Sequence, residues 1–277
     1  MDLASRTLLM DRELVLLTSP KNADLYLQDC HFKEVYTSTK HVRFAALHRP
    51  FDLVICDAYS PRVIYKKMQA APWVDFVGIY EFLNGFEVHR THFAFARMME
   101  LLSLRHISEP IRPTISVPKK LNKSAPVDVC VAVGGEWSFR TYEHWLPIVR
   151  WLVNRGFSVT LVGSKNGIKA AEFILGAIQS VKSTVGQLSL PEAVAQIASC
   201  KVFIGADGGL WHIACAIPLP TVVLFADCQI FDEEGARVTR ETADMVCESL
   251  YDDDAVSNIS CRSVIEACER LFARIDI

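Results

Sequence analysis

KVFIGADGGLWHIACAIPLPTVVLF, residues 201–225, decides how the chain is read. It opens as a buried-strand run, breaks at Asp207-Gly208-Gly209 and resumes as a short helical pattern from about Leu210. Pro218 and Pro220 break it again before a second apolar run. A strand that exits into a glycine turn and feeds a helix offers converging backbone N–H groups, the positive end of a helix dipole and room for close approach. Such a turn is suited to holding an anion. Asp207 has a second reading as a plain helix N-cap, because aspartate accepts from the free N–H groups of a first turn. Asp-Gly is also a hairpin signal, but the helical spacing after Leu210 argues against a hairpin.

Upstream, the same rhythm recurs. Residues 127–133, 158–162 and 181–185 read as strands, and 144–154, 168–178 and 190–199 as helices, the first ending at Arg155-Gly156. Each strand exits into glycine: Gly134-Gly135-Glu136-Trp137-Ser138-Phe139-Arg140, then Gly163-Ser164-Lys165-Asn166-Gly167, then Gly186-Gln187. Parallel sheets bind ligands beyond the carboxyl ends of their strands. Gly134, Gly135, Arg140, Ser164, Lys165 and Gly186 therefore join Asp207, Gly208 and Gly209 as candidate lining of one site. Arg140 and Lys165 read equally well as solvated loop charges. His212, in the first turn of its helix, suits either a hydrogen bond to a ligand hydroxyl or phosphate, or packing; the positive helix end disfavours its protonation.

The first half alternates in the same way. Residues 13–18, 34–37, 51–56 and 74–79 read as strands, and 22–30, 41–48, 61–70 and 88–104 as helices. Strands alternating with helices predict an α/β fold with parallel sheets. Residues 108–126, with Pro110, Pro113, Pro118 and Pro126 beside three lysines, read as a linker. The expectation is two Rossmann-like domains facing across a cleft: residues 1–109, a linker at 110–126, and residues 127–277 closed by a helix at 262–274. In the polar stretch 227–254 the pattern fades, and no element is predicted there.

Composition narrows the function classes. Hydrophobic residues make up 51% and charged residues 22% of 277, which fits a globular chain with a sizeable core. A net charge of -3 excludes a broadly nucleic-acid-binding surface. The longest nearly apolar run, residues 213–226, is broken by prolines and falls short of the about 20 residues of a membrane span. No secretory signal is visible at the N-terminus. Nine cysteines without a CxxC pair read as buried hydrophobes of a reducing cytoplasm. No metal site is predicted: His89 and His92 share a helix face but lack a third partner, and Asp252-Asp253-Asp254 lacks the glycine and glutamate of a calcium loop. Neither a Walker A loop, nor GxSxG, nor the GxGxxG of a dehydrogenase occurs.

With these residues assembled, residues 127–225 resemble the donor half of the heptosyltransferase family, GT-B enzymes of glycosyltransferase family 9. The resemblance rests on ADGGLWHIACAIPLPTVVLF, where Gly208 replaces the family's usual serine, on Gly186-Gln187-Leu188-Ser189-Leu190, and on the tryptophan, helix, Arg-Gly and Val-Gly pattern of residues 145–163. It implies that Asp207, Gly208, Gly209 and His212 face the pyrophosphate and sugar of an ADP-heptose-like donor. Arg140, with Tyr142, stands nearest to the family's phosphate-binding lysine and following aromatic, and residues 163–166 approach the ribose and base.

By the same resemblance, the N-terminal domain would take a glycan, lipid-linked or other hydroxyl acceptor. No separate cofactor is implied. The protein would act in lipopolysaccharide biosynthesis, in the cytoplasm or peripherally at the inner membrane. The family opens with a strand and a Gly-Asp loop holding the catalytic base, for which this sequence shows no counterpart before residue 13. Asp57, at a strand exit, is the expected substitute, and it reads also as a turn former. The alternatives are a nucleotide-sugar-binding protein without catalysis, and another GT-B enzyme such as a nucleotide-sugar epimerase.

Overall fold

The computed structural model describes residues 11–27, 29, 31–58, 60–80, 115–118, 127–226 and 246–277. Two compact units divide these residues. The first contains β1 (Leu14–Leu17), α1 (Pro20–Tyr26), β2 (Phe32–Tyr36), α2 (Thr39–His48), β3 (Val54–Ala58), α3 (Pro61–Ala70) and β4 (Phe76–Tyr80). The second contains β5 (Val127–Ala132), α4 (Trp145–Asn154), β6 (Val159–Val162), α5 (Ile168–Ala177), β7 (Lys182–Ser183) and α6 (Leu190–Ala198). It continues with β8 (Cys200–Ala206), α7 (Gly209–Ala216), β9 (Thr221–Ala226), β10 (Cys247–Asp252) and α8 (Cys261–Ile275).

In the first unit β1 pairs parallel with β2, and β3 parallel with β4. The helices between them start where the sequence supplies caps. The Ser60 hydroxyl accepts from the Val63 amide at 3.3 Å and Pro61 takes the first helical position, so α3 begins at a residue with no N–H to satisfy. The helix predicted at 88–104 and most of the predicted linker lie outside the described residues.

The second unit is one six-stranded sheet in the order β10-β9-β8-β5-β6-β7, with every pair parallel. Counted from β5, this is the 3-2-1-4-5-6 order of a doubly wound nucleotide-binding fold. Its strand order reverses between β5 and β8. The central strands are apolar on both faces: β9 is buried throughout, and Val129, Val131, Val202, Ile204, Val222 and Leu224 join the main core. Helix α4 lays Trp145, Ile148, Val149 and Leu152 into that core, and α8 lays Val264, Ala267, Cys268, Leu271 and Phe272. Stacking of Trp151 on Phe272, with centroids 6.0 Å apart and planes 14° apart, locks the two helices together.

Two elements depart from the sequence expectation. The predicted strand at 181–185 shortens to the two residues of β7, because it is an edge strand and the chain turns at Gly186, which has φ +72°. Within the stretch predicted to lack structure, β10 pairs with β9 over six residues, from Cys247 opposite Thr221 to Asp252 opposite Ala226. Its residues are only half-buried, so no apolar run announces it. Arg270 and Arg274 of α8 hold it by ion pairs to Glu248, each at 2.9 Å. The Asp252 carboxylate ends the strand, its Oδ1 accepting from the amides of Asp254 and Ala255 and from Asn258 Nδ2, all at 3.0 Å.

At the amino end of the sheet, Asp128 ties three strands. It accepts from Lys201 Nζ at 2.7 Å and from the Ser158 hydroxyl and amide at 2.7 and 2.9 Å. The Lys201 ammonium first, then the two Ser158 bonds, hold its carboxyl down to about 2.

Candidate functional site

All the strands of the second unit point their carboxyl ends the same way, so its βα turns share one rim. At the reversal, β5 exits into Gly134-Gly135 and β8 into Asp207-Gly208-Gly209. Asp207 does not cap α7. The N-cap is Gly208, with no side-chain bond, while the Asp207 amide is still paired in the sheet to the Leu224 carbonyl at 2.9 Å. The Asp207 side chain, only 3% exposed, instead lies 3.5 Å from Nη2 of Arg140. Arg140 ends a short 3-10 turn, Ser138–Arg140, and its guanidinium sits 5.3 Å over the Phe139 ring. Trp137, exposed, stacks on Phe139 with ring centroids 6.4 Å apart.

The Nε of Arg140 is buried and has no hydrogen-bond partner among the described residues. A buried donor left unmade costs about 1–3 kcal/mol. Asp207 lies by Nη2 while the neighbouring Nε–H stays unused, an arrangement that an anionic oxygen would complete. Arg140 is therefore no solvated loop charge.

The glycines of the rim divide into two groups. A Cβ at Gly134, where φ is +91°, would stand 2.7 Å from the Gly167 Cα, and one at Gly163 or Gly167 would stand 2.4 or 2.3 Å from the Val133 carbonyl oxygen. Gly186 donates its amide to the Gly163 carbonyl at 2.9 Å. Asn166 fastens the same turns, its Nδ2 donating to the Gly135 carbonyl at 2.6 Å and its Oδ1 accepting from Ser164 Oγ at 2.6 Å. These glycines are needed for turn-on-turn packing. At the β8 exit the opposite holds: among the described residues a Cβ at Gly209 would meet nothing within 4 Å, and one at Gly208 only the Ala206 carbonyl oxygen at 4.0 Å.

The sequence-predicted residues thus fall into three sets. Asp207 and Arg140 meet directly, beside Gly208 and Gly209 at the start of α7. His212 is exposed on α7 and its ring lies against Trp211, centroids 4.6 Å apart. Ser164 and Lys165 are exposed on the β6 turn, while Gly134, Gly135 and Gly186 lie in the packed part of the rim. Tyr142 does not face the site: it is buried, its hydroxyl donates to the Ile259 carbonyl at 3.1 Å, and burial pushes its phenol well above the usual range. Asp57 lies within β3, which continues to Ala58. Phe139 and Gly167 stood in the quoted turns without a role in the sequence reading. An aromatic directly before Arg140, and a second glycine closing the β6 turn, were the available signals.

Among the described residues no group of three or more His, Cys, Asp or Glu side chains is disposed to hold a metal ion. His89 and His92 lie outside them. No two of the described cysteines form a disulfide, and no described helix is long and apolar enough to cross a membrane.

Comparison with known proteins bears on this rim directly. Residues 114–231, which carry β5 through β9, match the family description Glycosyltransferase family 9 (heptosyltransferase). This is the family read from the ADGGLWH turn. Lipopolysaccharide heptosyltransferase 2 of Salmonella typhimurium is 34% identical over 89 residues, covering 30% of this chain and 26% of that protein. The aligned stretch thus spans about a quarter of the curated relatives it matches. Across nearly the whole chain the fold is shared. The glycosyl transferase of family 9 from Veillonella parvula superposes with a TM-score of 0.76 at 12% identity, over 95% of this chain and 89% of its own. The E. coli ADP-heptose lps heptosyltransferase II gives 0.75 at 16% identity, over 100% and 95%. A dodecameric iron-containing heptosyltransferase in complex with ADP-D-beta-D-heptose gives 0.54 at 16%, over 98% and 70%. The α/β, GT-B-like fold class read from the sequence is thereby established.

Proposed function

We propose that the protein is an inverting, metal-independent glycosyltransferase of the heptosyltransferase type, moving a sugar from an ADP-heptose-like donor to a hydroxyl of a glycan or lipid-linked acceptor in lipopolysaccharide biosynthesis. The observation that carries this reading is the unused buried Nε of Arg140 beside Asp207, at the strand-order reversal of a family 9 segment. There the donor pyrophosphate would lie against the first N–H groups of α7. Gly208 and Gly209 let it approach, and Arg140 takes its negative charge. Asp207, held by Arg140, would accept from sugar hydroxyls, and His212 would hydrogen-bond the sugar or phosphate. Ser164 and Lys165 would stand toward the ribose and base, with Gly134, Gly135 and Gly186 fixing the floor.

In the transfer the acceptor oxygen attacks the anomeric carbon from the face opposite the nucleotide. The bond to the β-phosphate oxygen breaks and ADP leaves with the electron pair. A carboxylate takes the acceptor proton, and Asp57 is proposed for that role. The protein would work in the cytoplasm, at the face of the inner membrane where such acceptors lie.

Titration with ADP, followed by incubation with ADP-heptose and a panel of glycan acceptors, tests the reading. Micromolar ADP binding, release of ADP only with acceptor, and loss of turnover without loss of ADP binding in Asp57→Asn are expected. A second reading, binding of a nucleotide sugar without transfer, is favoured by the extent of the family match, which starts at residue 114 and leaves Asp57 outside it. ADP binding with neither transfer nor donor hydrolysis would select it, and donor conversion without acceptor would select an epimerase.

A further inference from the structure

Helices α2 and α3 of the first unit are two-faced in an unusual way. Their inner faces bury Val42, Ala46 and Ala70. Their outer faces carry Phe44 and Leu47, and Tyr65 and Met68, at i, i+3 spacing, and all four are exposed, Phe44 at 66% and Tyr65 at 65%. The helices are neighbours: Thr39 Oγ1 lies 3.4 Å from Gln69 Oε1, and the Arg43 guanidinium is 5.9 Å from the ring centre of Trp73, itself half exposed. Lys67, turned inward, donates to the Pro72 carbonyl at 3.2 Å and lies 5.1 Å over the Phe76 ring, fixing the turn that presents Trp73. Singly exposed apolar residues are ordinary, but four large ones on two adjoining helices, with Trp73 on the turn that follows, mark an interaction surface.

The charge on the same elements says what that surface meets. Residues 38–49 and 60–73 hold six lysines and arginines and no aspartate or glutamate, within a chain whose net charge is -3. Arg49 is neutralised by Glu13 and Glu34. Lys40, Arg43, Arg62 and Lys66 are exposed and make no ion pair among the described residues. Unpaired cations interleaved with Phe, Leu, Tyr, Met and Trp match the boundary of an anionic bilayer, where aromatic rings settle at headgroup depth and cations meet lipid phosphates. A second copy of this chain fits worse, since a two-fold interface on this face would set the same cations against one another. A nucleic acid would leave Leu47 and Met68 without an apolar partner.

We propose that the outer face of α2 and α3, centred on Phe44, Leu47, Tyr65 and Met68 and ringed by Lys40, Arg43, Arg62 and Lys66, is a docking surface for an anionic lipid bilayer. It goes beyond the donor-site reading and does not depend on it, because it lies on the other unit and binds without nucleotide.

Cosedimentation of the full chain with vesicles tests it, comparing phosphatidylcholine alone with phosphatidylcholine containing about one-third phosphatidylglycerol. Binding to the anionic vesicles that weakens as salt rises is expected, with little binding to the neutral ones. Lys40→Glu/Arg62→Glu/Lys66→Glu should lower the partition coefficient roughly a hundredfold, and Phe44→Ser/Tyr65→Ser about tenfold. ADP affinity should be the same in both variants, which keeps this outcome separate from that of the donor site. Absence of wild-type binding, binding indifferent to salt and lipid charge, or unchanged partition of either variant overturns the proposal. So does a dimer in sedimentation velocity that the Phe44→Ser/Tyr65→Ser variant dissociates.

Discussion

Two groups of strand exits share one rim of the second unit, and both are rich in glycine for different reasons. At β5 and β6, Gly134, Gly163 and Gly167 let turns press against one another, with less than 3 Å left for any Cβ. At β8, Gly208 and Gly209 have space beyond them, and the neighbouring charges, Asp207 and Arg140, face each other across the reversal of strand order. A glycine motif therefore does not say by itself whether it serves packing or a ligand. The distance a Cβ would find does.

That contrast breaks most readily at its packed side. Gly163→Val forces a side chain into the Val133 carbonyl and should destabilise the second unit by about 3 kcal/mol or more, read as lost cooperative unfolding or a greatly lowered midpoint in denaturant. If its stability is unchanged, the packing account of these turns fails. On the open side, Gly209→Val should leave stability within about 1 kcal/mol while weakening ADP binding at least about tenfold, or 1.4 kcal/mol, by calorimetric titration. Unchanged ADP affinity there removes the anion from the start of α7.

The charged pair sharpens the comparison further. Arg140→Ala and Asp207→Ala should each weaken donor binding, and a double-mutant cycle on stability should give a coupling of about 0.5–3 kcal/mol. Arg140→Lys should rescue ADP binding only partly, since an ammonium lacks the second edge of the guanidinium. The smallest effect lies at the far end of the sheet. Because the Asp128 carboxyl is depressed to about 2 in the folded chain against an ordinary value near 4, its contribution is complete above about pH 4 and lost as pH falls toward 2. Asp128→Asn should cost about 1–2 kcal/mol at neutral pH, after discounting for its partial exposure, and flatten that part of the acid-unfolding curve.

What the sequence made legible follows from where each signal comes from. The parallel second unit could be read because β5, β6, β8 and β9 are mostly buried on both faces and write themselves as nearly continuous apolar runs, broken at Asp128 and Lys201. β10 could not, since this half-buried edge strand mixes Leu250 and Tyr251 with Glu248, which pairs with Arg270 and Arg274, and so shows no apolar run. The ADGGLWH turn pointed to the family that residues 114–231 match. The Arg140 contact was invisible, because it joins residues 67 positions apart through a strand-order reversal that only the sheet reveals. Gly134, Gly163 and Gly186 were read together with Gly208 and Gly209 because sequence shows a missing side chain but not what stands beside it.

Asp128 clamps the amino ends of β5, β6 and β8, whereas the turns of the proposed donor site all leave from the carboxyl ends. Anchoring and chemistry thus occupy opposite rims of one sheet. A lineage built on this plan would be free to exchange the residues that choose a nucleotide or a sugar, such as Gly208 or Lys165, while the clamp preserves a framework on which each new choice can be tried.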